Sequence, residues 1–282
     1  MAGVLALALL STLTGVRVAH AARSQPAAAP RAATPPVPIG ASTSPAAAAP
    51  TDGLARQLTA VFGGGDAYSV AGLDLSTGHS VRAGAPSGMT EASVMKLDLL
   101  ETALWGSQQG ETFDQDDAEQ MMDNSDNDAA DQIFAEIGGN PVLASFNARL
   151  GMTGTTLQPE GIWGLSSTGA DDQLHLLDAL VSAGSPLTAA SRQYALNLMG
   201  AVEADQAWGI SAAADPGAQT ELKDGWLAVD DDDGRWAVNS IGVTSANGHP
   251  VLLVVLSQHE PDFQTGIDRV QDAARLLAAA LR

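Results

Sequence analysis

The sequence predicts an α+β fold, an antiparallel five-stranded sheet flanked by helices. Three observations predict it. Residues 221–229, 236–244 and 251–257 read as consecutive strands joined by tight turns; the run from Val251 to Leu256 is too short for a helix and rich in branched residues. Residues 68–75 and 79–82 alternate around Ser76-Thr77-Gly78 in the manner of a hairpin. The long stretch between these two groups of strands carries helical patterns. Tight turns permit only antiparallel pairing, because parallel strands need a long crossover, so the class is α+β rather than doubly wound.

Taken in order, the first segments lie outside that fold. Residues 1–21 read as a signal peptide: an aliphatic stretch from Val4 to Leu10, weakening towards Val16, precedes the small-x-small site Ala19-His20-Ala21. About 13 apolar residues fall short of the roughly 20 that a membrane-spanning helix needs. The expected product is therefore secreted or associated with the cell envelope, with no stable membrane span. Residues 22–51 hold seven of the 14 prolines and hardly an apolar cluster, which predicts a disordered Pro/Ala-rich tether. The folded part runs over 52–282. It opens with a helix at 54–62, stopped by Gly63-Gly64-Gly65, and the early hairpin follows. Helices are expected at 92–105, 116–123, 129–137, 141–150, 171–182 and 189–199, and a last one at 265–281 after the late strands.

Composition narrows the chemistry. Thirteen basic residues against 33 acidic ones leave a formal charge of −20, a field that repels nucleic acid and anionic lipid surfaces. The chain has no cysteine. That removes disulfides, thiolate metal sites, cysteine nucleophiles and lipid anchoring through cysteine. None of the five histidines forms an H-x-x-x-H pair, so no zinc site is expected; no cofactor is expected either.

The two lysines carry the first functional signal. Lys96 lies in Ser93-Val94-Met95-Lys96, within a segment apolar almost all round, the mark of a buried helix. A buried lysine with no carboxylate one turn away loses its proton readily, which suits a general base, and Ser93 lies one turn N-terminal on the same face. Equally, Ser93 could cap the helix while Lys96 reaches the surface. Ser125-Asp126-Asn127 sits between two helices, where the same residues also make good turns and caps. Lys223-Asp224-Gly225-Trp226 opens the first late strand. A strand glycine marks a close approach by a ligand or backbone, whereas an edge-strand lysine also discourages aggregation.

Taken together and in this order, Ser93-x-x-Lys96, Ser125-Asp126-Asn127 and Lys223-Asp224-Gly225 resemble the three-motif signature of class A β-lactamases and penicillin-binding D-alanyl-D-alanine peptidases. The resemblance covers the whole folded part. It implies a sheet built from both chain ends, with an all-helical domain inserted at about 92–215. It implies that Ser93 is the acylated nucleophile, Lys96 its activating base and Ser125 the donor to the leaving nitrogen. Asn127 would hold the substrate amide, and Lys223 would orient Ser125 and attract a substrate carboxylate. The backbone N–H groups of Ser93 and Trp226 would form the oxyanion hole, with Gly225 giving room; losing one such donor typically raises the barrier by about 3 kcal/mol.

Four departures qualify the resemblance. Ser93 and Ser125 are only 32 residues apart, which predicts a shortened helical domain. Asp224 stands where the family usually has Thr or Ser, so a carboxylate would face the substrate's own. If the late hairpin turns at Asp231–Asp233, Lys223 lies opposite residues 239–241, where there is no helping arginine. The deacylating glutamate of class A enzymes has one counterpart, Glu160, without the asparagine that usually follows it. Acylation by a β-lactam or a peptidoglycan peptide is therefore expected, and rapid release is not. The alternatives are a catalytically silent domain that binds wall peptides or a protein partner, and an acidic envelope protein displayed on the tether.

Overall fold

A computed structural model describes residues 52–282; the expected signal peptide and tether lie outside the described residues. The chain runs α1 (Asp52–Phe62), β1 (Tyr68–Asp74), β2 (Ser80–Gly84), β3 (Met89–Thr90), α2 (Met95–Ser107), α3 (Gln115–Asp123), α4 (Asn127–Glu136) and α5 (Asn140–Leu150). It continues through β4 (Ser167–Thr168), α6 (Ala170–Val181), α7 (Ala189–Met199), β5 (Thr220–Val229), β6 (Arg235–Ala246), β7 (His249–Glu260) and α8 (Phe263–Ala280). Five strands form one antiparallel sheet in the order β2-β1-β7-β6-β5.

The turns follow from their residues. At the first hairpin Asp74 Oδ1 accepts from the backbone of Ser76 (2.7 Å) and Thr77 (3.1 Å), an Asx turn. Asn247-Gly248 joins β6 to β7 with φ of +57° and +81°, the two-residue turn whose twist matches the strands.

Strand β7 lies at the sheet's centre and is buried on both faces, which is why its sequence reads as a continuous aliphatic run. Leu252, Val254 and Leu256 face a core shared with α2 to α7. Val251, Leu253 and Val255 face a second core with α1 and α8. The helices between the early and late strands thus cover one face of the sheet, and the terminal helices cover the other.

The helix expected at 92–105 differs at its start. Residues Ala92–Val94 form a 3₁₀ turn, and the α-helix proper starts at Met95. Its burial extends to its polar side chains: Lys96, Asp98 and Glu101 are each 0% exposed, as is Glu91 just before the turn. The two glutamates leave both carboxyl oxygens, and Asp98 leaves one, without a hydrogen-bond partner among the described residues. The small ribbon β3–β4 was not legible in sequence, because two-residue strands have no period to read.

Burial holds Glu91 and Glu101 well above the ordinary carboxylate range and pushes Asp98 up to about 7. A raised acid binds its proton more tightly in the folded state, so its contribution is greatest at low pH and is lost as pH climbs towards the folded value. We expect the melting temperature to fall from about pH 4 to about pH 6, and Asp98→Asn to flatten that slope. A wild type growing more stable over this interval contradicts the assignment.

Candidate active site

The three motifs meet where α2 abuts β5. Ser93 sits half-buried on the 3₁₀ turn, held up by Ala92 at φ +51°, a left-handed conformation uncommon for alanine. Neither the turn nor α2 has a side-chain cap, so Ser93 is not a capping residue. Asp126 caps α4 by accepting from Ala129 N at 2.8 Å, which leaves the flanking Ser125 and Asn127 free for other partners. Ser125 adopts φ +56° and directs both its carbonyl and its hydroxyl at Lys96.

Lys96 Nζ lies 3.2 Å from Ser93 Oγ, 2.6 Å from Ser125 O, 3.0 Å from Ser125 Oγ and 2.7 Å from Asn127 Oδ1. An ammonium has three protons for these four oxygens. The longest contact, to Ser93, is the one through which a proton can pass once Lys96 is neutral. Lys223 reaches Ser125 Oγ at 3.1 Å from the other side and also donates to Asp224 O at 3.0 Å. Both lysines are fully buried, so neither is a surface gatekeeper.

Two buried ammonium groups around one hydroxyl disfavour full protonation. Burial first, and then the neighbouring Lys223, lower Lys96 to about 6; Asp126 and Asp131 oppose that shift. Burial likewise lowers Lys223 against the pull of Asp224.

The approach of sheet to helix depends on Gly225. A Cβ there would stand 2.8 Å from Ser93 N and 2.6 Å from Val94 N, so only glycine lets β5 lie against the Ser93 amide. Trp226 follows it, its ring packed against Trp208 and Phe263. Lys223 pairs with Ile241, the register expected of the late hairpin. Asp224 points to the opposite face of β5. It is fully buried there, accepts from Trp208 N at 3.3 Å and is hydrogen-bonded to Ser240, and burial drives its carboxyl towards the protonated form. Glu160 belongs to a separate 3₁₀ turn, Pro159–Gly161.

Sequence reasoning missed two residues at the site. Trp163 lies with its ring centroid 5.2 Å from Lys96 Nζ, and its Nε1 donates to Asp131 Oδ1 at 2.7 Å. Nothing local marks it, since its partners come from two other helices. Asn239 on β6 is completely buried; its Nδ2 donates to Thr90 O (2.8 Å) and Glu91 O (2.9 Å), and its Oδ1 accepts from Ser257 N (3.1 Å). It ties the segment leading into Ser93 to the sheet. Among the described residues, no group of three or more His, Cys, Asp or Glu could hold a metal ion, and no helix is long and apolar enough to cross a membrane.

An α+β fold with two serines and two buried lysines at a helix–sheet junction suits a serine-hydrolase kind of enzyme. The family model described as the Beta-lactamase enzyme family matches residues 103–281, more than half of the chain, and the chain belongs to that family. Ser93 and Lys96 precede the matched stretch. The chain is 32% identical over 133 residues to LppW of Mycobacterium tuberculosis and Mycobacterium bovis, named as a candidate lipoprotein. That match covers 45% of this chain and 42% of LppW, less than half of either. Among solved structures, PBP-A superposes with a TM-score of 0.70 at 18% identity, covering 84% of this chain and 98% of PBP-A. A β-lactamase from Chitinophaga pinensis gives 0.71 at 16% identity over 82% of this chain and 100% of its own. These likenesses establish the fold.

Removing Asn239 would take a partner from Thr90 O and from Ser257 N and leave Glu91 O with the 3.4 Å bond from Val94 N; an unsatisfied buried group costs about 1–3 kcal/mol. Asn239→Ala is expected to lower unfolding stability by at least about 2 kcal/mol, read as an earlier midpoint in urea. An unchanged midpoint would show that water replaces those bonds without loss.

Proposed function

We propose that the protein is an exported serine hydrolase that forms an acyl-enzyme on Ser93 with a β-lactam or a cell-wall peptide. The observation that carries this reading is Lys96, buried, lowered to about 6 and 3.2 Å from Ser93 Oγ. Such a lysine is neutral at pH 7 and takes the Ser93 proton as Oγ attacks the substrate's amide carbonyl. The carbonyl–nitrogen bond then breaks. Ser125, in contact with both lysines, gives its proton to the leaving nitrogen and is resupplied from Lys96. The net result is an acyl group on Ser93 Oγ and the serine's proton on the amine.

The other roles follow from position. The Ser93 and Trp226 amides form the oxyanion hole beside Gly225, where donors aimed at developing charge act most strongly. Asn127, whose Oδ1 is taken by Lys96, offers its amide N–H groups to the substrate. Lys223 orients Ser125 and supplies positive charge for a carboxylate. Glu160 is the candidate base for deacylation. Two comparisons support the reading. A PBP-A variant is known as an acyl-enzyme with penicillin G, and the name of LppW fits an envelope location.

Intact mass after incubation with benzylpenicillin tests it. Wild type is expected to gain the mass of the whole drug, and Ser93→Ala to gain none. The acylation rate should climb about tenfold per pH unit below the Lys96 value and level off above about pH 6, because the proton-free lysine is the active form. A wild type that neither forms an adduct nor consumes penicillin or a D-Ala-D-Ala peptide overturns the assignment.

A further inference from the structure

We propose that Trp163 is a positioning residue that closes the site over Lys96, keeping water from the amine and from the ester formed on Ser93, so that the acyl-enzyme is long-lived. The second half rests on Ser93 being acylated; the first half does not.

Trp163 is held from several directions. The residue is 8% exposed, and its Nε1 is committed to Asp131 on α4, the helix that also presents Asn127 to Lys96. Its carbonyl accepts from Ser166 N at 3.0 Å, and Ser166 O accepts from Glu91 N at 2.9 Å. The β3–β4 ribbon pairs Thr90 with Ser167 immediately beyond. The turn bearing Trp163 packs against the turn bearing Ser93. The ring is therefore locked to the chain that enters Ser93.

The chemistry of this neighbour is decisive. An indole has a single N–H donor and no acceptor lone pair, and here that donor is already used. Hydrolysis of the ester needs a group that takes a proton from water as its oxygen adds to the carbonyl; the Ser93 oxygen then leaves and regains a proton. Trp163 provides no such group. The charged groups facing Lys96 are Lys223 from β5, Asp126 from the cap of α4 and Asp131 from α4 itself. Asp131 is engaged by the indole. An aromatic face at 5.2 Å attracts the ammonium, but the same ring excludes the water that would solvate it, and exclusion of water is the larger effect, as the complete burial of Lys96 and its lowered proton affinity indicate.

The chain has two lysines, so ¹³C-lysine labelling gives two titrating signals, assigned with Lys96→Arg. In the full chain, Lys96 is expected to titrate near 6, and Trp163→Leu to raise that midpoint by about one unit or more, with Trp163→Phe staying close to wild type. The benzylpenicillin adduct should decay at least about tenfold faster in Trp163→Leu and near the wild-type rate in Trp163→Phe. A wild-type Lys96 that titrates in the ordinary lysine range overturns the seal without any variant, whether or not Trp163→Leu folds. A folded Trp163→Leu with an unmoved midpoint also overturns it, and a moved midpoint with an unchanged adduct lifetime overturns the second half. No adduct in wild type removes the acyl-enzyme reading, while the lysine titration still decides the seal.

Discussion

Ser125 Oγ, held between two buried lysines, is the contact on which the site depends. It lies 3.0 Å from Lys96 on α2 and 3.1 Å from Lys223 on β5, so one hydroxyl joins the helical layer to the sheet. Burying two ammonium groups this close is unfavourable unless at least one sheds its proton. The chain's −20 charge does little to relieve this, because the carboxylates nearest Lys96 are only Asp126 and Asp131. The lowered proton affinity of Lys96 thus comes from packing first and from Lys223 second. The same burial that makes the cluster chemically useful makes it dependent on the precise closure of helix against sheet.

That closure is maintained from both sides of the Ser93 turn. Gly225 lets β5 reach the Ser93 amide with nothing between them, and Asn239 clamps the carbonyls of Thr90 and Glu91 to β6. The β3–β4 ribbon and the Glu91–Ser166 bond add a third restraint. Left-handed backbone at Ala92 and at Ser125 stores strain that only such over-determined surroundings tolerate. Strain, glycine and buried amide thus serve one end, the exposure of one face of Ser93 above the buried Lys96.

Much of this was legible in the sequence because it rests on local period and on motif order. The strands and the register that sets Lys223 opposite Ile241 follow from alternation and turn residues, whereas the meeting of Ser93, Lys96, Ser125 and Lys223 was implied by the resemblance of the three ordered motifs to a known family. What was not legible depends on partners distant in the chain. Trp163 gains its place from Asp131 and Lys96, and Asn239 from Thr90, Glu91 and Ser257. The sequence marks α2 as a buried helix, but no local pattern shows that the enclosure also takes in the carboxyls of Asp98 and Glu101.

Asp224 shows how a correct residue leads to an incomplete inference. A carboxylate replacing a hydroxyl beside Lys223 suggests repulsion of an anionic substrate, on the assumption that it is ionised and faces the cleft. Strand alternation turns it away from Lys223 instead, under the segment that starts at Trp208. There Trp208 N and Ser240 satisfy part of it, and burial favours its neutral form. Gly209, at φ +68° with Ser240 within 2.2 Å of where a Cβ would stand, allows that segment to close over the acid. Because burial raises Asp224, its pull on Lys223 offsets only part of the effect of burial on that lysine. Its carbonyl, not its carboxyl, is what Lys223 touches. The substitution therefore acts on how the segment after α7 is anchored to the sheet, and the electrostatics around Ser125 stay under the control of the two lysines.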